Sequence, residues 1–122
     1  MTSVQSYRDL MVWQKSMDLT VRIYALTRYF PATERYGITS QMRRSAASIP
    51  ANIAEGQARR SRGEFVQLLG VARGSLAELE TFLTLSTKLE LTTPEKGRGL
   101  LNDCAEVGKM LNALIKSLNT ND

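Results

Sequence analysis

The chain has 122 residues, an apolar share of 43%, a charged share of 23% and a net charge of +4. That length suits one domain, residues 1–122, with a core of its own, and no apolar run approaches the ~20 residues that span a bilayer. The chain holds no histidine and one cysteine. These counts argue against the commonest general base, the commonest metal ligand, any Ser-His or Cys-His dyad and an internal disulfide.

The first ten residues, MTSVQSYRDL, lack the basic and apolar regions of a signal peptide, so the expected compartment is the cytoplasm, where a lone thiol stays reduced. Further on, no run alternates strictly between apolar and polar residues. Apolar positions instead recur every three or four residues, the helical signature. The first helix spans about 8–29 and carries two apolar stripes. One is Leu10, Trp13, Met17, Val21 and Tyr24; the other is Val12, Leu19, Ile23, Leu26 and Phe30. At 100° per residue they lie roughly 140° apart. A lone amphipathic helix needs one stripe. Two fit a deeply buried helix, or one that packs in its bundle and against another subunit, and the second is the expectation here. Pro31 ends the helix.

The second helix spans about 37–58. Ile38, Met42, Ala46, Ile49 and Ile53 form its core stripe, and Ala47, Ala51, Ala54 and Ala58 form a row of small residues that would admit a neighbouring backbone. Pro50 has no N–H for the carbonyl of Ala46 and crowds it, which predicts a kink. Ser48, Asn52 and Glu55 share the polar face around that kink. They are expected to form a structural network, with Ser48 and Asn52 satisfying the freed carbonyl.

A basic corner, GQARRSRG, follows. Ser61 and Glu64 fit a capping box that opens a third helix over about 62–90. Gly70 and Gly74 weaken that helix by up to ~1 kcal/mol each relative to alanine, and close helix contact is the expected compensation. Thr93 as cap and Pro94 at the first helical position open the fourth helix, about 94–118. Leu100, Cys104, Val107, Leu111, Leu114 and Leu118 form its seam, and the polar end Thr120–Asp122 is expected to fray. Four long helices with short links predict an all-α, up-down-up-down antiparallel four-helix bundle.

Little catalytic chemistry is on offer. Cys104 sits on the apolar seam between Leu100 and Val107 and reads as an inert core thiol. Glu78 and Glu80 point about 200° apart on one helix and cannot share a ligand. No catalytic residue, metal site or cofactor is expected, and the chain is read as not an enzyme. Charge is the remaining feature. Between Tyr36 and Arg62 lie five arginines, Arg43, Arg44, Arg59, Arg60 and Arg62, against one acid, Glu55. The rest of the chain sums to zero. The planar guanidinium fork suits phosphate, so these arginines are the candidate contacts for RNA or DNA. Few aromatics flank them, which favours backbone-charge binding over base readout.

The stretches YRDLMVWQKSMDLTVRIY, FPATERYGITSQMRRSAASIPANIAEGQAR and GSLAELET resemble the four-helix-bundle proteins encoded within intervening sequences of bacterial 23S ribosomal RNA genes. The likeness runs from Tyr7 to about Leu91, with SIPANIAEG, Ser48–Gly56, its most specific block. It implies a cytosolic bundle that assembles as a homopentamer and has no established catalytic residues. It also implies kinship with the retroelement accessory variability proteins, basic nucleic-acid-binding partners of a reverse transcriptase. The functional expectation is a non-enzymatic homo-oligomer that binds nucleic acid, RNA above all. The alternative is a scaffold or adaptor docking an acidic protein such as a reverse transcriptase.

Overall fold

The structure is a computed structural model that describes residues 6–120. Four helices account for nearly all of it: α1 (Met11–Thr27), α2 (Ile38–Ala58), α3 (Arg62–Lys88) and α4 (Pro94–Thr120). Each packs on its two neighbours, α1 closing the ring against α4, as in an up-down-up-down antiparallel bundle. The α2–α3 contact is the most extensive and the α1–α4 contact the sparsest of these four. Among the described residues there is no strand, and no helix is long and apolar enough to cross a membrane.

The core joins stripes read from the sequence on α1, α2 and α4 to an apolar row on α3. Leu19 and Ile23 of α1, Met42, Ile49 and Ile53 of α2, Leu69, Leu79 and Leu83 of α3, and Val107 and Leu111 of α4 are essentially inaccessible. Burying each such side chain contributes about 1.5–3 kcal/mol. The other stripe of α1 divides: Leu10 and Trp13 pack against the edge of the core, whereas Met17, Val21 and Tyr24 are 41%, 66% and 43% exposed. The bundle leaves that later part of the face largely open.

Local chemistry explains the helix ends. Ser61 Oγ accepts the Glu64 N–H at 3.1 Å and opens α3, and Thr93 Oγ1 accepts the Lys96 N–H at 3.2 Å at the start of α4. The α3 end closes with the Leu91 N–H on the Ser86 carbonyl and the Glu90 N–H on the Thr87 carbonyl. This is a Schellman motif whose left-handed position, usually glycine, holds Glu90 at φ 60°.

The structure departs from the sequence reading at several places. The first helix does not begin near residue 8. A 3-10 turn, Tyr7–Asp9, is followed by extended Leu10, and α1 starts at Met11. The break folds Tyr7 back so that its ring meets Trp13 edge-on, with centroids 5.2 Å apart. Helix α4 continues through Thr120, and the remainder of its expected frayed end, Asn121 and Asp122, lies outside the described residues. A Cβ built on Gly70 or Gly74 meets nothing within 4 Å, so no close contact within the protomer explains either glycine. Close packing requires glycine elsewhere: a Cβ on Gly56 would sit 2.8 Å from Phe65 Cδ1 and 3.3 Å from the Phe65 carbonyl oxygen, and one on Gly97 would sit 2.5 Å from Thr87 Oγ1.

Around Pro50, α2 runs on without interruption. The carbonyl of Ala46, which has lost its usual partner, lies 3.1 Å from the hydroxyl of Thr20 on α1, which shares its one proton with the Ser16 carbonyl at 2.8 Å. Neither Ser48 nor Asn52 donates to the Ala46 carbonyl. Asn52 Nδ2 donates instead to the Ser48 carbonyl at 2.8 Å and to Ser48 Oγ at 2.9 Å, and Ser48 Oγ lies 2.8 Å from Ser75 Oγ of α3. The network thus ties α2 to α3. Glu55 stands outside it, paired with Arg59.

Candidate functional site

Helix α2 sets the spacing of the arginines. Arg43 and Arg44 lie in its second turn, and Arg59, Arg60 and Arg62 lie at its far end and the α2–α3 corner. Fifteen residues separate Arg44 from Arg59, about 22 Å along a helix. The five therefore form two groups at opposite ends of the bundle.

The groups differ in how much charge they leave available. Arg59 donates to Glu55 and, at 3.1 Å, to Glu64. The hydrogen bond and charge of Glu55, with Glu64 adding to them, raise its pKa further, so it stays cationic but compensated. Arg60 is exposed and makes no ion pair among the described residues. Arg62 is exposed at the first position of α3.

At the other end, Arg43 is built into the α1–α2 junction. Its Nε donates to Thr27 Oγ1 at 2.8 Å, and its guanidinium covers the ring of Tyr24 at 4.6 Å. Thr27 Oγ1 also donates to the Ile23 carbonyl at 2.7 Å, so it can accept from Arg43. Arg43 is thus a clamp that also carries charge. Arg44 is exposed, with one N–H on Gln41 Oε1 at 2.9 Å.

Two residues that sequence reasoning passed over join this end. Arg28 closes α1 and Arg35 lies in the α1–α2 link; both are exposed and unpaired with any acid among the described residues. From residue 22 to residue 44 there are five arginines and one acid, Glu34. The signal was present as arginines flanking FPATE, but only the turn of the chain shows that they share an end with Arg43 and Arg44.

Other chemistry is sparse. Burial, with Glu80 and Asp103 nearby, pushes the Cys104 thiol up to about 12. At neutral pH it is protonated and shut away from solvent. No group of three potential metal-ligating His, Cys, Asp or Glu residues occurs among the described residues.

Comparison with known proteins agrees with the fold. A solved structure from Bacteroides thetaiotaomicron, described as a protein of unknown function from the S23 ribosomal protein family, superposes with a TM-score of 0.79 at 32% identity. The match covers 87% of this chain and 99% of that one. No curated protein matches. The pattern of the 23S rRNA-intervening sequence proteins matches residues 8–113, from the 3-10 turn deep into α4, and the chain belongs to that family.

Proposed function

We propose that the chain is a non-enzymatic, cytoplasmic homo-oligomer that binds structured RNA through arginines displayed at the two ends of α2. The observation that carries this reading is the uncompensated cluster Arg28, Arg35 and Arg44, exposed with no acid partner among the described residues. Clustering of this kind, more than the modest net charge, raises local potential and favours a polyanion. Arg60 supplies a second point of contact, with Arg43, Arg59 and Arg62 contributing less freely disposed charge.

Assembly makes a weak patch effective, because several copies on one RNA bind with avidity. The exposed stripe Met17, Val21 and Tyr24 supports assembly. Tyr24 lies against Arg43 and Thr20 against Ala46, so exposed Ala47 and Ala51 continue along α2 beside it. Together they make a bulky-and-small apolar face suited to another copy. The family resemblance puts the number at about five, as a ring.

The test is fluorescence anisotropy with a labelled RNA hairpin across a salt series. Affinity should fall steeply with salt. Arg28, Arg35 and Arg44 replaced together by alanine should weaken binding and flatten the salt slope by about one per lost phosphate contact. Arg59→Ala should matter less, because Glu55 and Glu64 already hold that side chain. No binding at ~50 mM salt would sink the reading. Co-purification of one acidic protein that survives nuclease would instead support a docking role for the same arginines.

A further inference from the structure

The sparse α1–α4 seam opens at one end into a cavity of about 950 Å³. It lies between the last turns of α1, the α3–α4 link and the first turns of α4. We infer that this cavity receives one unpaired, unstacked nucleotide of a bound strand. The inference rests on the nucleic-acid reading above and adds a site separate from the arginines of α2.

Three features of the lining support it. The first is a flat aromatic surface: Tyr29 lines the cavity and is 81% exposed, an isolated ring at the mouth of an apolar wall made by Leu26, Leu91 and Leu100. A base stacks on such a ring whatever its identity, because every base has a π-face. The second is cationic charge in the lining: Lys96, exposed and unpaired with any acid among the described residues, and Arg22, whose charge Asp103 already offsets in part. Arg22 uses one NH group on Asp103 Oδ2 at 2.8 Å, which fixes it in place while the rest of its fork stays accessible. These cations suit the phosphate that must accompany the base. The third is a lining residue with unspent hydrogen-bonding capacity. Thr92 Oγ1 is buried without a hydrogen-bond partner, and a base edge would supply one.

The location favours a strand over a free small molecule. The cavity opens at the same end of the bundle as Arg28, Arg35, Arg43 and Arg44, so a backbone held by those arginines runs past its mouth. Single strands and loops offer bases that can be splayed out in this way, and duplexes do not. Glu90 and Asp103, also in the lining, place acceptors where exocyclic amino groups of a base can reach them.

Gly99 provides the means to test this. It lines the cavity on α4, and a Cβ built there meets nothing within 4 Å, so a substitution starts in open space. The intact protein is titrated with labelled single-stranded oligouridylate of ~12 nucleotides and with duplex RNA of the same length. The variants are Gly99→Phe, which fills the space, and Tyr29→Ala, which removes the exposed ring; thermal melts confirm that both fold. Both variants should weaken single-strand binding about tenfold or more and leave duplex binding within about twofold. Single-strand affinity unchanged by Gly99→Phe, or lost equally for both probes, would overturn the cavity while leaving the arginine reading intact. Wild-type protein that binds neither probe overturns both.

Discussion

The hydroxyl of Thr20 lies 3.1 Å from the carbonyl oxygen of Ala46, the acceptor that Pro50 deprives of its helical N–H. The same hydroxyl lies 2.8 Å from the Ser16 carbonyl of its own helix, so a proton shared between two acceptors partly offsets, from a neighbouring helix, a defect within α2. Thr20→Val keeps the shape and removes the donor, leaving a partly buried carbonyl unmet. The expected loss is about 1–2 kcal/mol of unfolding free energy by denaturant titration. The effect should shrink when Pro50 is also alanine, since residue 50 then supplies the N–H itself. Additive losses in the double variant would show that the two residues are not coupled in this way.

Glycine positions should respond in opposite directions. Gly56→Ala drives a methyl against Phe65 and Leu68, and overpacking of this kind costs about 1–3 kcal/mol. Gly74→Ala adds a methyl in open space and should stabilise the protomer by up to ~1 kcal/mol through helix propensity. Chemical denaturation of the two variants side by side gives the comparison.

At the end of α3, Glu90 occupies a left-handed conformation at φ 60°. Such a position costs an ordinary residue about 1–2 kcal/mol, which glycine avoids at a smaller entropic cost. Glu90→Gly should therefore raise stability by roughly 0.5–1 kcal/mol and the melting temperature by a few degrees. A lower melting temperature would mean that the Glu90 side chain contributes more than its backbone strain removes.

Titration bounds the stable range on both sides. The hydrogen bond and charge of Lys15 lower the Glu106 pKa below its ordinary 4.5, so the pair's contribution is present above that value and fades as pH falls through the lowered one. Glu106 likewise raises the Lys15 pKa above 10.5, so the contribution is present below that and is lost as pH climbs past the raised value. Cys104 acts earlier on the alkaline side. Its thiol ionises at about 12 when folded and near 9.0 when exposed, so stability is lost progressively from pH 9 upward. Cys104→Val should extend alkaline stability in a pH series of denaturant midpoints. In the wild type, alkylation of the thiol at pH 8 should be slow until denaturant is added.

Much of the fold was legible because its signals are local. Ser61 and Glu64, or Thr93 and Pro94, are neighbours in sequence and bring their caps with them. The core stripes follow from the helical period alone. What was not legible depends on residues brought together from a distance. The Leu10 break needs the Tyr7 ring against Trp13, and the partner of the Ala46 carbonyl lies on another helix. Gly70 and Gly74 looked like contact glycines because spacing says nothing about what stands opposite. The candidate site shows the same division: a run of arginines is visible in a string of letters, but not that Glu55 and Glu64 occupy Arg59 while Arg28 and Arg35 stand clear. The cavity has no signature at all, being the space left where α1 and α4 meet least.

The open stripe on α1 bears on how this protein must be handled. If Met17, Val21 and Tyr24 are covered only by another copy, folding and association draw on the same apolar area, and mass action links them. The melting temperature would then rise with protein concentration. A sample diluted for a binding assay would be less stable than the stock it came from. Replacing Val21 with a charged residue, which should leave the bundle core intact, would yield a protein whose melting temperature no longer depends on how much of it is in the tube.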